Sequence, residues 1–397
     1  MFSIKRMSVI MFATLPRSSV AFGLRKASVN NKNLHRLSAG NNIFTDFVNS
    51  FSTMTQTKSG RDVYTVAITG ASGLVGKALI NELESKGEVN GKQTKIIQMK
   101  RSGSNSEDAL VWDPQSTGPA LDPSLLEDVD VVVHLAGENV SSGEGPLGFL
   151  GIRPWTASKK DKIMDSREQG TKAIAEAVRL ANLNGGLTRP KTQFLSTSAV
   201  GVYGMDGVGS DAKLWDESSD TSSTEGFLAE VSRRWEAAAE TAASGGSNGR
   251  VVTMRFGVVL SKLGGALAKL YPIFLVGGGG IVGSGEQYFP YVSIRDLARG
   301  IVHIMETPSL KGPVNIVGPN CCTNTEFTKA LGSVINRPTI LPLPGFAVSA
   351  LFGQMGDDML LGGQKVVSEK LLKSGFVFNH DTVEKALKSA IEEDTEI

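Results

Sequence analysis

Thr69-Gly70-Ala71-Ser72-Gly73-Leu74-Val75-Gly76 joins two segments of opposite hydrophobic period, and its reading decides the fold. Before it, residues 63–68 (Val-Tyr-Thr-Val-Ala-Ile) are rich in β-branched and aromatic side chains, as in a strand. After it, Leu74, Val75, Ala78, Leu79 and Leu83 fall on one helical face as far as Gly87, a C-terminal cap. Such a turn between strand and helix suits a dinucleotide pyrophosphate. Gly70 permits the tight bend, Gly73 lets the backbone approach the phosphates, and Gly76 allows the helix to lie close on the strand. The amides around Ser72, Gly73, Leu74 and Val75 then face the anion at the helix start.

Outward from this turn the chain alternates. Strands are expected at residues 94–99, 109–112, 130–135, 192–197 and 251–256, and helices at 158–182 and 227–243. Residues 130–135 are almost wholly apolar, as in a parallel strand buried on both faces. The pattern predicts an α/β fold, a Rossmann-type doubly wound parallel sheet. Past residue 260 the rhythm loosens into glycine-rich loops at 277–280 and 283–285. A helix at 294–306 capped by Ser293, a strand at 312–317 and a helix at 324–335 follow. Residues 62–336 are read as the nucleotide-binding domain and 337–397 as a small, mainly helical C-terminal subdomain.

The second strand sets the nucleotide. An NAD site usually ends this strand with Asp or Glu, which holds the ribose 2′-hydroxyl. Here it ends Gln98-Met99-Lys100-Arg101, without an acid and with two cations. Arg101 can stack on adenine and pair with a 2′-phosphate, so NADP(H) is the expected cofactor. At the end of the 130–135 strand, Ala136 and Gly137 are small where a dinucleotide lies. His134, inside the apolar run, reads as a satisfied core histidine.

Bulk composition excludes several classes. The net charge of +1 gives no global case for nucleic acid, and no basic patch lies outside the leader. Cys321 and Cys322 are adjacent, a poor geometry for a structural disulfide, and no Cys/His cluster has metal-ligand spacing. No apolar run of about eighteen residues or more exists, so no membrane span is expected. Residues 1–61 differ from the rest: many Lys and Arg against a single acid, Asp46, with frequent Ser, Asn and Thr. Lys5-Arg6 precede a short apolar run at 7–15, then small residues and Phe22. This composition reads as a targeting leader of the bipartite plastid kind, a mitochondrial presequence, or an unstructured tail.

The glycine turn, residues 134–139 (His-Leu-Ala-Gly-Glu-Asn), residues 195–204 (Leu-Ser-Thr-Ser-Ala-Val-Gly-Val-Tyr-Gly) and Trp235-Glu236 resemble the extended short-chain dehydrogenase/reductases, the NAD(P)-dependent epimerase/dehydratase group. More narrowly, the chain is similar to its atypical SulA-like or Giant Chloroplast-like branch. The carriers are Trp112-Asp113-Pro114, residues 153–156, Ser166-Arg167, residues 255–261 and 264–267, and the C-terminal stretch 337–387. The resemblance covers residues 63–390. It implies that Leu135 and Ala136 line the adenosine side, that Arg167 faces the cofactor, and that Val259 lies near the nicotinamide.

The resemblance also exposes a loss. Active members use a Tyr as acid–base and a Lys four residues later that lowers its pKa. Counting back from Glu236 puts Leu228 and Ser232 at those positions; a shift of one gives Phe227 and Val231. None can do this work. Ser198 or Ser196 remains as the assisting serine, and Tyr203 as a substitute acid or an architectural residue. Gln287, in the glycine-rich loop, is a candidate substrate hydrogen-bonding group, and a cleft beside the C-terminal subdomain the expected substrate site. Two functions stay open: an NADP(H)-dependent oxidoreductase or epimerase-like enzyme on a small carbonyl or sugar-like compound, and a catalytically silent NADP(H)-binding regulator or scaffold, as in plastid division.

Overall fold

The computed structural model describes residues 62–140, 154–186 and 190–393; the expected leader lies outside the described residues. Residues from Arg61 onward form one compact unit.

The main sheet begins with β1 (Val63–Thr69), followed by α1 (Leu74–Lys86), β2 (Glu88–Val89), β3 (Lys92–Lys100), β4 (Ala109–Val111) and β5 (Val131–His134). It continues through α2 (Ala157–Asn184), β6 (Gln193–Ala199), a short β7 (Leu214–Trp215), α3 (Phe227–Ala239) and β8 (Val251–Phe256). The strands lie in the order β11-β8-β6-β5-β1-β3-β2, where β11 is Gly312–Ile316 and β4 also pairs with β3. All these pairings are parallel except β2 with β3. From β1 the chain moves to β3 on one side and later to β5 on the other. The order therefore reverses beside β1, which makes a crevice at the carboxyl ends of these strands.

Alternation of side chains splits the core between the two faces of the sheet. Val66, Ile68, Val131, Val133, Val252 and Met254 pack with Leu79 and Leu83 of α1 and with Leu297 and Ile301 of α5 (Ile294–Glu306). Ala67, Val132, Phe194 and Val251 pack instead with Ile174, Ala177, Val178 and Ala181 of α2. These helices start and stop where local chemistry dictates. Gly87 caps α1 in the left-handed region at φ 71°, Thr156 caps α2 by accepting from the Lys159 amide, and Ser293 caps α5 by accepting from the Asp296 amide.

Two elements differ from expectation. Residues 240–243 form a 3-10 turn rather than a last α-helical turn. Residues 258–260, to which the sequence pattern assigned no element, form β9 (Val258–Leu260), paired in parallel with β10 (Tyr291–Ser293). Gly257 explains the break: a Cβ there would lie 2.5 Å from the Pro290 carbonyl oxygen and 2.9 Å from Val317. Only glycine lets the chain pass so close as it leaves β8 for this ribbon.

Downstream come α4 (Gly265–Leu275), α6 (Asn324–Val334), α7 (Gly345–Phe352), α8 (Glu369–Lys373) and α9 (Val383–Lys388). Residues after 337 divide their apolar side chains. Leu371, Phe376 and Phe378 join the core under α1 and α5, whereas Val383, Ala386 and Leu387 pack with Leu267, Phe327 and Leu331. Val348, Phe352 and Met355 form a separate cluster against Trp155, Val282 and Leu343. No helix among the described residues is long and apolar enough to cross a membrane.

Candidate functional site

The glycine turn lies at the end of β1, beside the reversal in strand order. Gly70 has φ 69°, and a Cβ there would approach the Ala136 amide nitrogen to 2.9 Å. A Cβ on Gly76 would sit 2.3 Å from the Gly70 carbonyl oxygen. Both glycines are thus sterically required, one by backbone conformation and one by contact. Gly73 is the N-cap residue of α1, no side chain bonds to that helix start, and no acid occupies its first turn. The amides of Leu74, Val75 and Gly76 therefore have no intrahelical acceptor. Ser72 and Gly73 are exposed above them. This is a positive, open helix end of the kind that holds phosphate.

One strand away, Lys100 and Arg101 end β3 and are exposed. Neither side chain has a hydrogen bond or ion pair among the described residues, so both charges are free for a ligand. Across β1 in the other direction, Leu135 and Ala136 are half-buried and Gly137 is exposed. Val259, in β9, is half-buried and packs against the main core.

A buried hydroxyl fixes the wall between these parts. Thr69 Oγ1 accepts from the Leu135 and Ala136 amides at 3.1 and 3.3 Å and lies 2.8 Å from His134 Nδ1. With both lone pairs engaged, the hydroxyl donates its proton to Nδ1. His134 Nε2 then carries the ring proton and donates to Thr171 Oγ1 at 3.1 Å. Burial pushes this imidazole down to about 3, so it is neutral. His134 is a satisfied core histidine that ties β1, β5 and α2 together.

Arg167 projects from α2 to this side of the crevice. Its Nη1 donates to the Glu138 and Ile163 carbonyl oxygens at 3.0 and 3.3 Å, and its guanidinium lies over the Trp235 ring at 4.8 Å. The Glu138 carboxylate pairs with Lys159 at 2.7 Å.

The hydroxyls expected to assist chemistry are interior. Ser198 and Tyr203 are each 1% exposed. Ser198 donates to Glu236 Oε1 at 2.7 Å, and the same carboxylate makes a two-pronged pair with Arg255 at 2.7 and 2.8 Å. Tyr203 accepts from Arg255 Nη1 at 2.9 Å, and its own proton is shared between Asn315 Oδ1 and the Asp216 carbonyl oxygen. Burial pushes its pKa up to about 12. The geometry thus gives Ser198 and Tyr203 a structural task, as links joining β6, α3, β8 and β11, in place of the catalytic one expected for them. Ser196 is fully buried as well. Gln287 is likewise reassigned. It is 3% exposed, and its amide donates to the Val282 and Leu360 carbonyl oxygens, which holds the glycine-rich loop to the C-terminal stretch. Beside that loop a recess of about 260 Å³ is lined by Ser210, Glu286, Tyr288 and Thr325 among others.

Leu228 and Ser232 both lie on α3. Ser232 is buried and donates to the Leu228 carbonyl oxygen at 2.9 Å. Neither offers an acid, a base or a cation.

A doubly wound sheet with a glycine-walled helix start at its reversal defines a dinucleotide-binding class. Within that class, residues 66–317 match the NAD dependent epimerase/dehydratase family, and the chain belongs to it. Residues 343–390 match a domain of unknown function, DUF1731. The chain is 39% identical over 322 residues to the epimerase family protein Mb2239 of Mycobacterium bovis, covering 81% of this chain and 96% of that one. It is 33% identical to the Arabidopsis thaliana "Epimerase family protein SDR39U1 homolog, chloroplastic", over 83% of this chain and 87% of that one. Among solved structures, human epimerase family protein SDR39U1 (isoform 2) with NADPH is similar, with a TM-score of 0.67 and 30% identity, over 82% of this chain and 98% of that one.

The network around Tyr203 yields a test of its role. Tyr203→Phe leaves Arg255 Nη1 and Asn315 short of a partner and should lower the unfolding free energy by about 1–3 kcal/mol, with nucleotide affinity unchanged. Urea unfolding and nucleotide titration of the same variant check this; unchanged stability with lost affinity would return the hydroxyl to the ligand side.

Proposed function

We propose that this protein binds NADP(H) across the carboxyl ends of β3, β1, β5 and β6 and transfers hydride to or from a small carbonyl or sugar-like compound. One observation carries the nucleotide: an uncapped, glycine-walled helix start with two unpartnered cations, Lys100 and Arg101, one strand away. In this reading Gly70, Ser72, Gly73, Leu74, Val75 and Gly76 hold the pyrophosphate, and Lys100 and Arg101 take the 2′-phosphate. Leu135, Ala136, Gly137 and Arg167 border the remaining length, with Val259 at the nicotinamide end. The human relative with NADPH supports the choice of nucleotide. Bound there, NADP(H) supplies the hydride donor or acceptor.

Leu228 and Ser232 of α3 supply no Tyr–Lys proton relay at the positions where active members of the family carry one. A second reading follows from Leu228 and Ser232: the nucleotide is a structural or signalling ligand, and the protein is a regulator or scaffold in a plastid. A panel of carbonyl and sugar-like compounds mixed with the NADPH-loaded protein separates the two. Hydride transfer requires loss of NADPH absorbance with at least one compound; binding of NADPH without oxidation by any of them would overturn it in favour of the second.

The basic, acid-poor first 61 residues and the chloroplastic Arabidopsis relative support a plastid location. The full chain fused at its C-terminus to a fluorescent protein should co-localise with plastid autofluorescence. Mitochondrial signal would select the rival leader, and diffuse signal would remove both.

A further inference from the structure

The first turns of α2 and α3 stand beyond the carboxyl edge of the sheet. Thr171 of α2 is level with the end of β5, because it bonds to His134. Residues 157–170 therefore project past that edge by roughly 20 Å, at about 1.5 Å per residue. On α3, Leu228 rests on the end of β6. A Cβ on Gly201, just past that strand, would lie 3.3 Å from Leu228 Cβ and 3.8 Å from Ser232 Oγ. Trp155, just before α2, meets Phe227, the first residue of α3, with ring centroids 5.1 Å apart and planes at 62°. Lys160 Nζ lies 5.3 Å from the centre of the Phe227 ring and donates to Gln354 Oε1. Trp155 Nε1 donates to the Val140 carbonyl oxygen. Trp155, Phe227 and Leu228 are all half-buried, so each keeps part of its apolar surface open.

This corner lies at the opposite end of the crevice from Lys100 and Arg101. β3 is on one side of β1, and β5 and β6 are on the other. A dinucleotide with its 2′-phosphate over β3 brings its nicotinamide to β5 and β6, beneath Leu228 and Phe227. Active members of the family place a tyrosine at Leu228, which gives a proton to the reacting oxygen. Leucine has none to give, and apolar surface beside a developing alkoxide makes that charge costly. Below it, Ser198 and Tyr203 are buried and committed to Glu236, Arg255 and Asn315. A conjugated acceptor avoids the difficulty, because its product anion is spread over several atoms.

We infer that the cleft selects a flat, apolar, conjugated carbonyl compound, a quinone or an enone, laid against Leu228, Phe227 and Trp155, over a sugar-like one. The inference rests on the hydride-transfer reading above and names its substrate class. A sugar would press hydroxyls against side chains that offer them no hydrogen bond. A flat apolar ring gains from burial there and from contact with two aromatic rings. The acceptor takes one hydride, and with it two electrons, from NADPH, which leaves NADP+. The enolate or phenolate so formed takes one proton from water.

The test titrates the NADP+-loaded full chain by calorimetry with two probes, 2,3-dimethyl-1,4-naphthoquinone and UDP-glucose. The naphthoquinone should bind and UDP-glucose should not. Leu228→Asn, nearly equal in size, and Phe227→Leu, which keeps an apolar side chain, should each weaken the naphthoquinone about tenfold and leave NADPH affinity unchanged. Preference for UDP-glucose, no binding of the naphthoquinone, or naphthoquinone affinity unmoved by both substitutions would overturn the inference. Naphthoquinone that binds without oxidising NADPH, in wild type, would instead overturn the hydride-transfer reading on which it stands.

Discussion

The contact between α1 and the end of β1 is the constraint on which the rest depends. With no side chain at Gly76, the first turn of α1 lies directly on the Gly70 carbonyl. That approach does two things at once. It buries Leu79 and Leu83 against Val66 and Ile68, which seeds one face of the sheet. It also aims an uncapped helix start at the crevice where strand order reverses. Stability and ligand chemistry thus share one steric condition, and a methyl group at Gly76 would damage both.

The interior polar groups show how the sheet's carboxyl edge keeps its shape. Thr69, His134 and Thr171 form a neutral hydrogen-bonded chain across β1, β5 and α2. Glu236, Arg255, Tyr203 and Asn315 form a charged one that spans four elements. Breaking one partner of such a buried pair typically costs about 3–5 kcal/mol, because the other charge is left exposed to a low-dielectric interior. These residues look chemical in sequence because Ser, Tyr, Glu and Arg are the usual catalytic types. Burial and full pairing turn them into scaffolding, and the open cleft is left with glycines, amides and three cations.

Legibility followed physical range. The order of strands and helices was readable because hydrophobic period and capping are local: α5 with its Ser293 cap and β8 have the expected bounds. The place of Lys100 and Arg101 at the carboxyl end of β3 was readable because it depends only on where that strand ends. The burial of Gln287 and Tyr203 was not legible because their partners, Leu360 and Asn315, are distant in sequence. The β9–β10 ribbon was invisible for the same reason, since it depends on Gly257 meeting Pro290. The contact of Trp155 with Phe227 became visible only with the fold, which brings the starts of α2 and α3 together.

In the proposed function the glycine-walled helix start and the cations at the end of β3 together select the 2′-phosphorylated dinucleotide. Parallel calorimetric titration of the wild-type protein and Arg101→Ala with NADPH and NADH tests it most directly. NADPH should bind wild type about tenfold or more tightly than NADH, and Arg101→Ala should erase most of that difference, weakening NADPH much more than NADH. Equal affinity of wild type for the two nucleotides, or no binding of either, would contradict the account.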